Sequence, residues 1–275
     1  MKKTLAWGSN KYISPVGLGC SRIGSFSNSL SHSELQRLLG AAFDAGVTVF
    51  DTSDVYGQGD SEREIGRFMT GPRRDQAIVV TKGGKLFSNK MRLLRPFKPL
   101  LKPLLSRRGR KAVTEKRSDE ISEDFSPAHI ARSVDGSLSR LRTDRLDGFL
   151  LHSPKSMALQ PELWEMLRRL RDSGKIDRYG VSCDTRDVLE ASLRNPEVAL
   201  LELPFDVLAS IEGTSIAEEI VKRNIFVLAR EVLRFQPGVA PGKAVAKAAS
   251  MPCVSSVIVG TTNVDHLRET ISSVG

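Results

Sequence analysis

A chain of 275 residues, 40% hydrophobic and 27% charged, has the apolar content of a globular protein, and no apolar run approaches the roughly 20 residues of a membrane-spanning helix. Cys20, Cys183 and Cys253 stand far apart with no CxxC pair, which argues against a disulfide framework or a zinc site. The net charge of +9 is local: between Lys85 and Arg117 twelve Lys or Arg face the single acid Glu115, so that segment carries +11 and the rest −2, and overall basicity is no sign of nucleic-acid binding.

In chain order, the apolar stretch "TLAW" near the start is too short for the core of a secretory signal, so a cytoplasmic location is expected. After an N-terminal hairpin, apolar runs predict strands at 16–20, 47–51, 77–82, 146–152, 177–182, 198–203, 225–230 and 256–260. Helical stretches lie between them. "SHSELQRLLGAAFDAG" opens on a Ser31-x-x-Glu34 capping box and closes at Gly46. "DSEREIGRFM" begins with acids that suit a helix N-terminus. "SPAHIARSVDGSLSRLR" and "QPELWEMLRRLRDSG" place Pro127 and Pro161 at the first helical position. Further helices are expected near 185–194, 213–223, 242–250 and 263–273. Eight strands, each followed by a helix, predict an α/β protein with a (β/α)8 barrel as one domain over residues 1–275. Residues 83–125 form an unusually long, basic loop after the third strand.

In such a barrel the active site lies at the carboxyl ends of the strands. There the second strand brings Asp51 and, five residues on, Tyr56; the third ends in Lys82 and the fourth in His152. Taken singly, each has an ordinary structural role: a turn aspartate, a half-buried aromatic, a solvated lysine, a core histidine. Together they form a proton-handling set. A lysine ammonium beside a tyrosine lowers the phenol's pKa, an aspartate holds the lysine, and the tyrosine can then protonate an alkoxide formed by hydride arrival. A histidine alongside can orient the carbonyl oxygen.

The segments "GVTVFDTSDVYGQGDSEREIGRFM", "VVTKGG", "GFLLHSP", "SGKIDRYGVS" and "VSSVIVGTTNVDHLRETI" resemble, in order, those of the aldo-keto reductase superfamily. The resemblance implies Tyr56, Lys82, Asp51 and His152 as the catalytic four, no metal, and NADPH, or else NADH, bound without a Rossmann glycine motif. It also implies a cofactor cradle of Gly19, Cys20, Ser21, Asp51, Ser182, Cys183, Glu202, Arg230, Gly260, Thr261, Thr262, Asn263 and His266. The expected partner is a small carbonyl or alcohol substrate, without nucleic acid.

Several positions depart from the family pattern. Cys183 replaces an asparagine that holds the nicotinamide carboxamide, and Glu202 stands where glutamine is usual. An ionised Glu202 would favour the oxidised, cationic nicotinamide, unless it pairs with a neighbouring arginine. Arg230 stands where an aromatic often stacks, and an ion pair with Glu202 or Glu231 would compensate its charge. Gly260 and His266 occupy two places where basic residues often meet the cofactor's 2′-phosphate, while Thr261, Thr262 and Asn263 lead into a helix start suited to an anion. The basic loop is read as a solvated insertion, a peripheral membrane contact, or a cover over an anionic or carrier-linked substrate. The alternatives to an oxidoreductase are a cofactor-sensing binding protein on the same barrel and a redox-neutral enzyme with retained cofactor.

Overall fold

The computed structural model describes residues 5–8, 11–24, 30–87 and 121–274. Of the long basic loop, residues 88–120 lie outside the described residues, and the membrane and substrate-cover readings fall on them.

Eight parallel strands close into a barrel: β3 (Val16–Gly19), β4 (Val49–Asp51), β5 (Ile78–Gly83), β8 (Leu146–His152), β9 (Ile176–Ser182), β10 (Leu200–Pro204), β11 (Phe226–Arg230) and β12 (Ser256–Val259), which pairs back onto β3. These are the eight strands expected. Helices follow them on the outside, among them His32–Asp44, Asp60–Phe68, Pro127–Leu141, Pro161–Asp172 and Val264–Ser272. The Ser31–Glu34 capping box is present, with both reciprocal bonds formed, and Ser126 caps the helix whose first residue is Pro127.

The core divides into two layers because successive side chains of a strand point to opposite faces. Between strands and helices lies a continuous apolar shell that includes Leu18, Phe50, Val79, Leu151, Val181, Leu201 and Val227. Inside the barrel, Val49, Ile78, Val80, Leu150, Leu200 and Leu228 pack with Trp7 and Ile13 of the N-terminal hairpin. That hairpin, β1 (Leu5–Ala6) with β2 (Tyr12–Ile13), seals the amino end, where Trp7 Nε1 donates to Asp177 Oδ2 at 2.8 Å. Lys11 and Arg74 both pair with the buried Asp147, which ties the hairpin to the wall. The amino end is thereby closed, and open space is left at the carboxyl end.

Some elements were not expected. Lys85–Phe87 (β6) pairs antiparallel with Ile121–Glu123 (β7), so the two ends of the basic loop are held together beside the barrel mouth. Short helices at Pro72–Gln76 and Phe205–Ile211 are too brief for their periodicity to register in the sequence.

The backbones of β9 and β10 approach closely at one glycine. Gly180 in β9 lies against Leu200 of β10, and a Cβ there would sit 1.6 Å from the Leu200 carbonyl oxygen. Gly180→Ala is expected to cost about 3 kcal/mol by forcing the strands apart. A urea denaturation midpoint equal to that of the parent chain would contradict this approach.

Candidate active site

The segment after β4 continues to pair along β5: Thr52 N donates to Val80 O at 2.8 Å and Asp54 N to Lys82 O at 3.1 Å. This fixes residues 51–54 beside the end of β5. The chain then coils into a single 3₁₀ turn, Tyr56–Gln58, in which Gly57 and Gln58 (φ 59° and 62°), followed by Gly59 (φ 83°), have left-handed backbone. Gly57 is required there: a Cβ would meet the Gly24 carbonyl oxygen at 2.6 Å. The turn brings the half-buried Tyr56 over the barrel mouth, into a cavity of about 530 Å³ that Asp51, His152, Ser182 and Glu202 also line.

Lys82 sits beneath this cavity, 1% exposed, and donates to Asp51 Oδ1 and, at 3.2 Å, to the Thr52 carbonyl. Its Nζ lies 5.4 Å from the centroid of the Tyr56 ring. On the other side, Glu202 Oε2 approaches Nζ at 3.3 Å but lacks hydrogen-bond alignment and has no hydrogen-bond partner among the described residues. One ammonium therefore faces two buried carboxylates. Burial opposes charging Lys82, but Asp51 and Glu202 outweigh it and raise its pKa. Burial, and then the Glu202 charge, push Asp51 up to about 7 despite Lys82. The second carboxylate acts on both groups: Glu202 helps hold the Lys82 proton and adds to the burial that raises Asp51.

The expected lowering of the Tyr56 pKa is corrected. Burial raises it, Asp51 and Glu202 add to the rise, and the Lys82 ammonium offsets only part, so the phenol stays protonated through neutral pH.

His152 meets Tyr56 edge-on, with ring centroids 5.8 Å apart and planes at 88°. Burial, with Lys82, Lys85 and Arg230 nearby, holds its pKa well below the ordinary value, so the ring is neutral. Its Nδ1 is 3.0 Å from Ser53 Oγ. Ser53 is a residue that the sequence reasoning missed. It looks like one more turn serine, and only its separation of 99 positions from His152 across the fold gives it a role.

The rim is ionic. Arg230 bridges Asp184 and Glu231, and Glu231 also accepts from Arg234. The expected pairing of Arg230 with Glu231 is present, Asp184 was unforeseen, and Glu202 lies within ion-pair distance of Lys82, not of an arginine, although its charge also acts on Arg230. Ser153, bonded to Asp184 at 2.9 Å, and Glu231 both have positive φ (52° and 55°), a costly conformation for such residues that collects at functional surfaces.

Of the remaining cradle positions, Gly19, Ser21, Ser182, Arg230 and Gly260 line the cavity. Cys20 and Cys183 do not. Their thiols belong to the apolar shell behind the strands, where burial pushes Cys183 up to about 12 and Cys20 higher still. Each follows an inward residue, Gly19 or Ser182, so alternation turns it toward the helices. Cys183 Sγ lies 3.7 Å from Ser192 Oγ, far from a carboxamide-holding role. Thr261, Thr262, Asn263 and His266 also lie outside the cavity lining. Asn263 caps its own helix, accepting from Asp265 N at 2.8 Å and His266 N at 3.3 Å, so these two amides already have an acceptor.

Among proteins of known family, the sequence profile of the Aldo/keto reductase family matches residues 15–243. D-threo-aldose 1-dehydrogenase of a Pseudomonas species is 29% identical over 197 residues, 69% of this chain and 56% of that protein, so the chain spans about half the length of the relative it matches. A Pseudomonas aeruginosa structure described as an aldo-keto reductase superposes with a TM-score of 0.76 at 25% identity, covering 99% of this chain and 95% of that one. An aldo-keto reductase from Klebsiella pneumoniae in complex with NADPH gives a TM-score of 0.69 at 21% identity, covering 100% and 90%.

Proposed function

The chain belongs to the aldo/keto reductase family, and on that premise we propose that it is an oxidoreductase acting on a small carbonyl or alcohol with NADPH, or NADH, as hydride partner. The observation that carries the reading is the convergence of Tyr56, neutral His152 and the buried Asp51–Lys82 pair on one cavity at the carboxyl ends of β4, β5 and β8.

The cavity suits a nicotinamide dinucleotide. Glu202 Oε2 and Arg230 Nε, both in residues of the cavity wall, are buried without a hydrogen-bond partner among the described residues. A carboxamide and a phosphate or ribose oxygen would supply the missing donor and acceptor. Ser182 and Glu202 would hold the nicotinamide end, with Gly19, Ser21 and Gly260 along the wall. When bound, the dinucleotide supplies or accepts the hydride.

The chain itself handles the proton. Tyr56, protonated through neutral pH, gives its hydroxyl proton to the carbonyl oxygen as charge develops there. Lys82 is the nearby cation that stabilises the phenolate left behind, and Asp51 holds Lys82 in place. His152, neutral and anchored through Nδ1 on Ser53, orients the substrate oxygen through its other nitrogen. Ser53→Ala should leave the fold intact and lower kcat/KM roughly fivefold, the effect of one neutral hydrogen bond of about 1 kcal/mol. Steady-state kinetics at saturating cofactor would read it, and an unchanged kcat/KM would remove Ser53 from the site.

The polar wall, with Ser21, Ser153, Asp184, Lys85 and Glu231, favours a hydroxyl-rich substrate, in keeping with the aldose named for the Pseudomonas relative. Lys85 also offers a cation to an acidic substituent. The deciding experiment is fluorescence titration with NADPH and NADH, followed by turnover assays on aldoses and other carbonyls. Tight binding without turnover of any carbonyl or alcohol would favour a cofactor sensor, and no binding would sink the proposal.

A further inference from the structure

Glu202 is the charged group of the cavity whose position local pairing leaves unexplained. It is 2% exposed, on β10, with one face on the cavity. Lys82 is engaged by Asp51 Oδ1 and the Thr52 carbonyl, and meets Glu202 only at 3.3 Å and out of line. Arg230 is engaged by Asp184 and Glu231. Arg234 also pairs with Glu231, so three cations (Lys82, Arg230 and Arg234) face four carboxylates (Asp51, Glu202, Asp184 and Glu231), and Glu202 Oε2 is the oxygen left without an aligned partner among the described residues. A buried carboxylate in that position gains most from a cationic visitor, because the low dielectric strengthens the attraction and salt screens it little.

The two redox forms of a nicotinamide dinucleotide differ at the ring by one positive charge. We propose that Glu202 is a redox-state discriminator: it tightens binding of the oxidised cofactor relative to the reduced one, and so biases the site toward oxidising an alcohol. This rests on the reading above that the cavity takes the dinucleotide. The bias follows from linkage, since any preference for one cofactor state shifts the bound hydride-transfer equilibrium by the same factor. The protonated Tyr56 does not oppose it, because a cationic ring nearby also favours the phenolate that alcohol oxidation needs.

The test is equilibrium binding without turnover. Dissociation constants for NADP⁺ and NADPH are measured by fluorescence and calorimetry on the parent chain, on Glu202→Gln and on the charge-retaining Glu202→Asp, with thermal melts to verify folding. In Glu202→Gln the ratio of the NADP⁺ constant to the NADPH constant should rise about tenfold, the order expected for one partly compensated buried charge. In Glu202→Asp it should stay within about threefold of the parent. A ratio that is unchanged in Glu202→Gln, or that moves equally in Glu202→Asp, overturns the discriminator role while leaving the cofactor reading intact. A parent chain that binds neither redox form of NADP(H) nor of NAD(H) overturns both.

Discussion

Tyr56→Phe is expected to lower kcat by about 10²- to 10⁴-fold, the range contributed by a well-placed general acid, with cofactor affinity within twofold. The reason for the split is geometric. The substitution removes only the hydroxyl, while the ring keeps its edge contact with His152 and its place near Lys82 Nζ. Because burial and the two carboxylates raise the Tyr56 pKa, the proton donor for reduction is present across the neutral range. Oxidation instead needs the phenolate, so its rate should climb with pH into the alkaline range, and this slope should vanish in Tyr56→Phe. Paired pH–rate profiles in the two directions, with binding measured separately, check all three statements. Retention of parental kcat would end the proton-donor assignment.

Lys82→Met carries the largest expected cost in stability. Methionine is of similar length, so the change leaves Asp51 and Glu202 buried beside each other without their cation. Breaking a buried charge cluster from one side costs about 3–5 kcal/mol. The pH dependence has a definite sign. Asp51 is already raised to about 7 with Lys82 present, and without the ammonium it can only go higher. A carboxylate whose folded pKa lies above its unfolded value of about 4 destabilises the fold above pH 4, increasingly as pH rises toward the folded pKa. The gap between variant and parent in urea denaturation should therefore change little between pH 4 and 7, where Asp51 keeps its proton in both folded chains, and widen above about pH 7, where it ionises in the parent alone. Lys82→Met combined with Glu202→Gln should recover part of the loss, since one of the two uncompensated charges is gone. Equal stability of Lys82→Met and parent at pH 8 would show that the cluster is better hydrated than its 1–4% exposures imply.

Much of this architecture is written locally. The strand sequences "VFD", "IVVTKG" and "LDGFLLH" are apolar runs ended by a polar residue, and because a barrel gathers its strand ends on one face, Asp51, Lys82 and His152 could be brought together without coordinates. Tyr56 follows from the turn-forming residues around it. The capping box and proline-led helices are equally local, since each depends on residues within one turn. Harder to read was the β6–β7 hairpin, whose two strands are three residues each and separated by a long insertion. Cys20 and Cys183 show another limit. Both stand just past a strand end, where a shift of one residue exchanges cavity and shell, and the outward phase places them against the helices.

What the sequence by itself determined is therefore the order of strands and helices, the closed barrel and the identity of the polar residues at its mouth, because periodicity, caps and strand termini act over a few residues. Only the tertiary structure decided that Glu202 faces Lys82 instead of an arginine, that Asp184 and Glu231 bracket Arg230, that Ser53 anchors His152, and that the Tyr56 pKa rises despite the lysine beside it. Those outcomes depend on burial and on charges brought together from strands far apart in the chain, and electrostatic energy is set by distance and dielectric in space, which no local pattern of residues encodes.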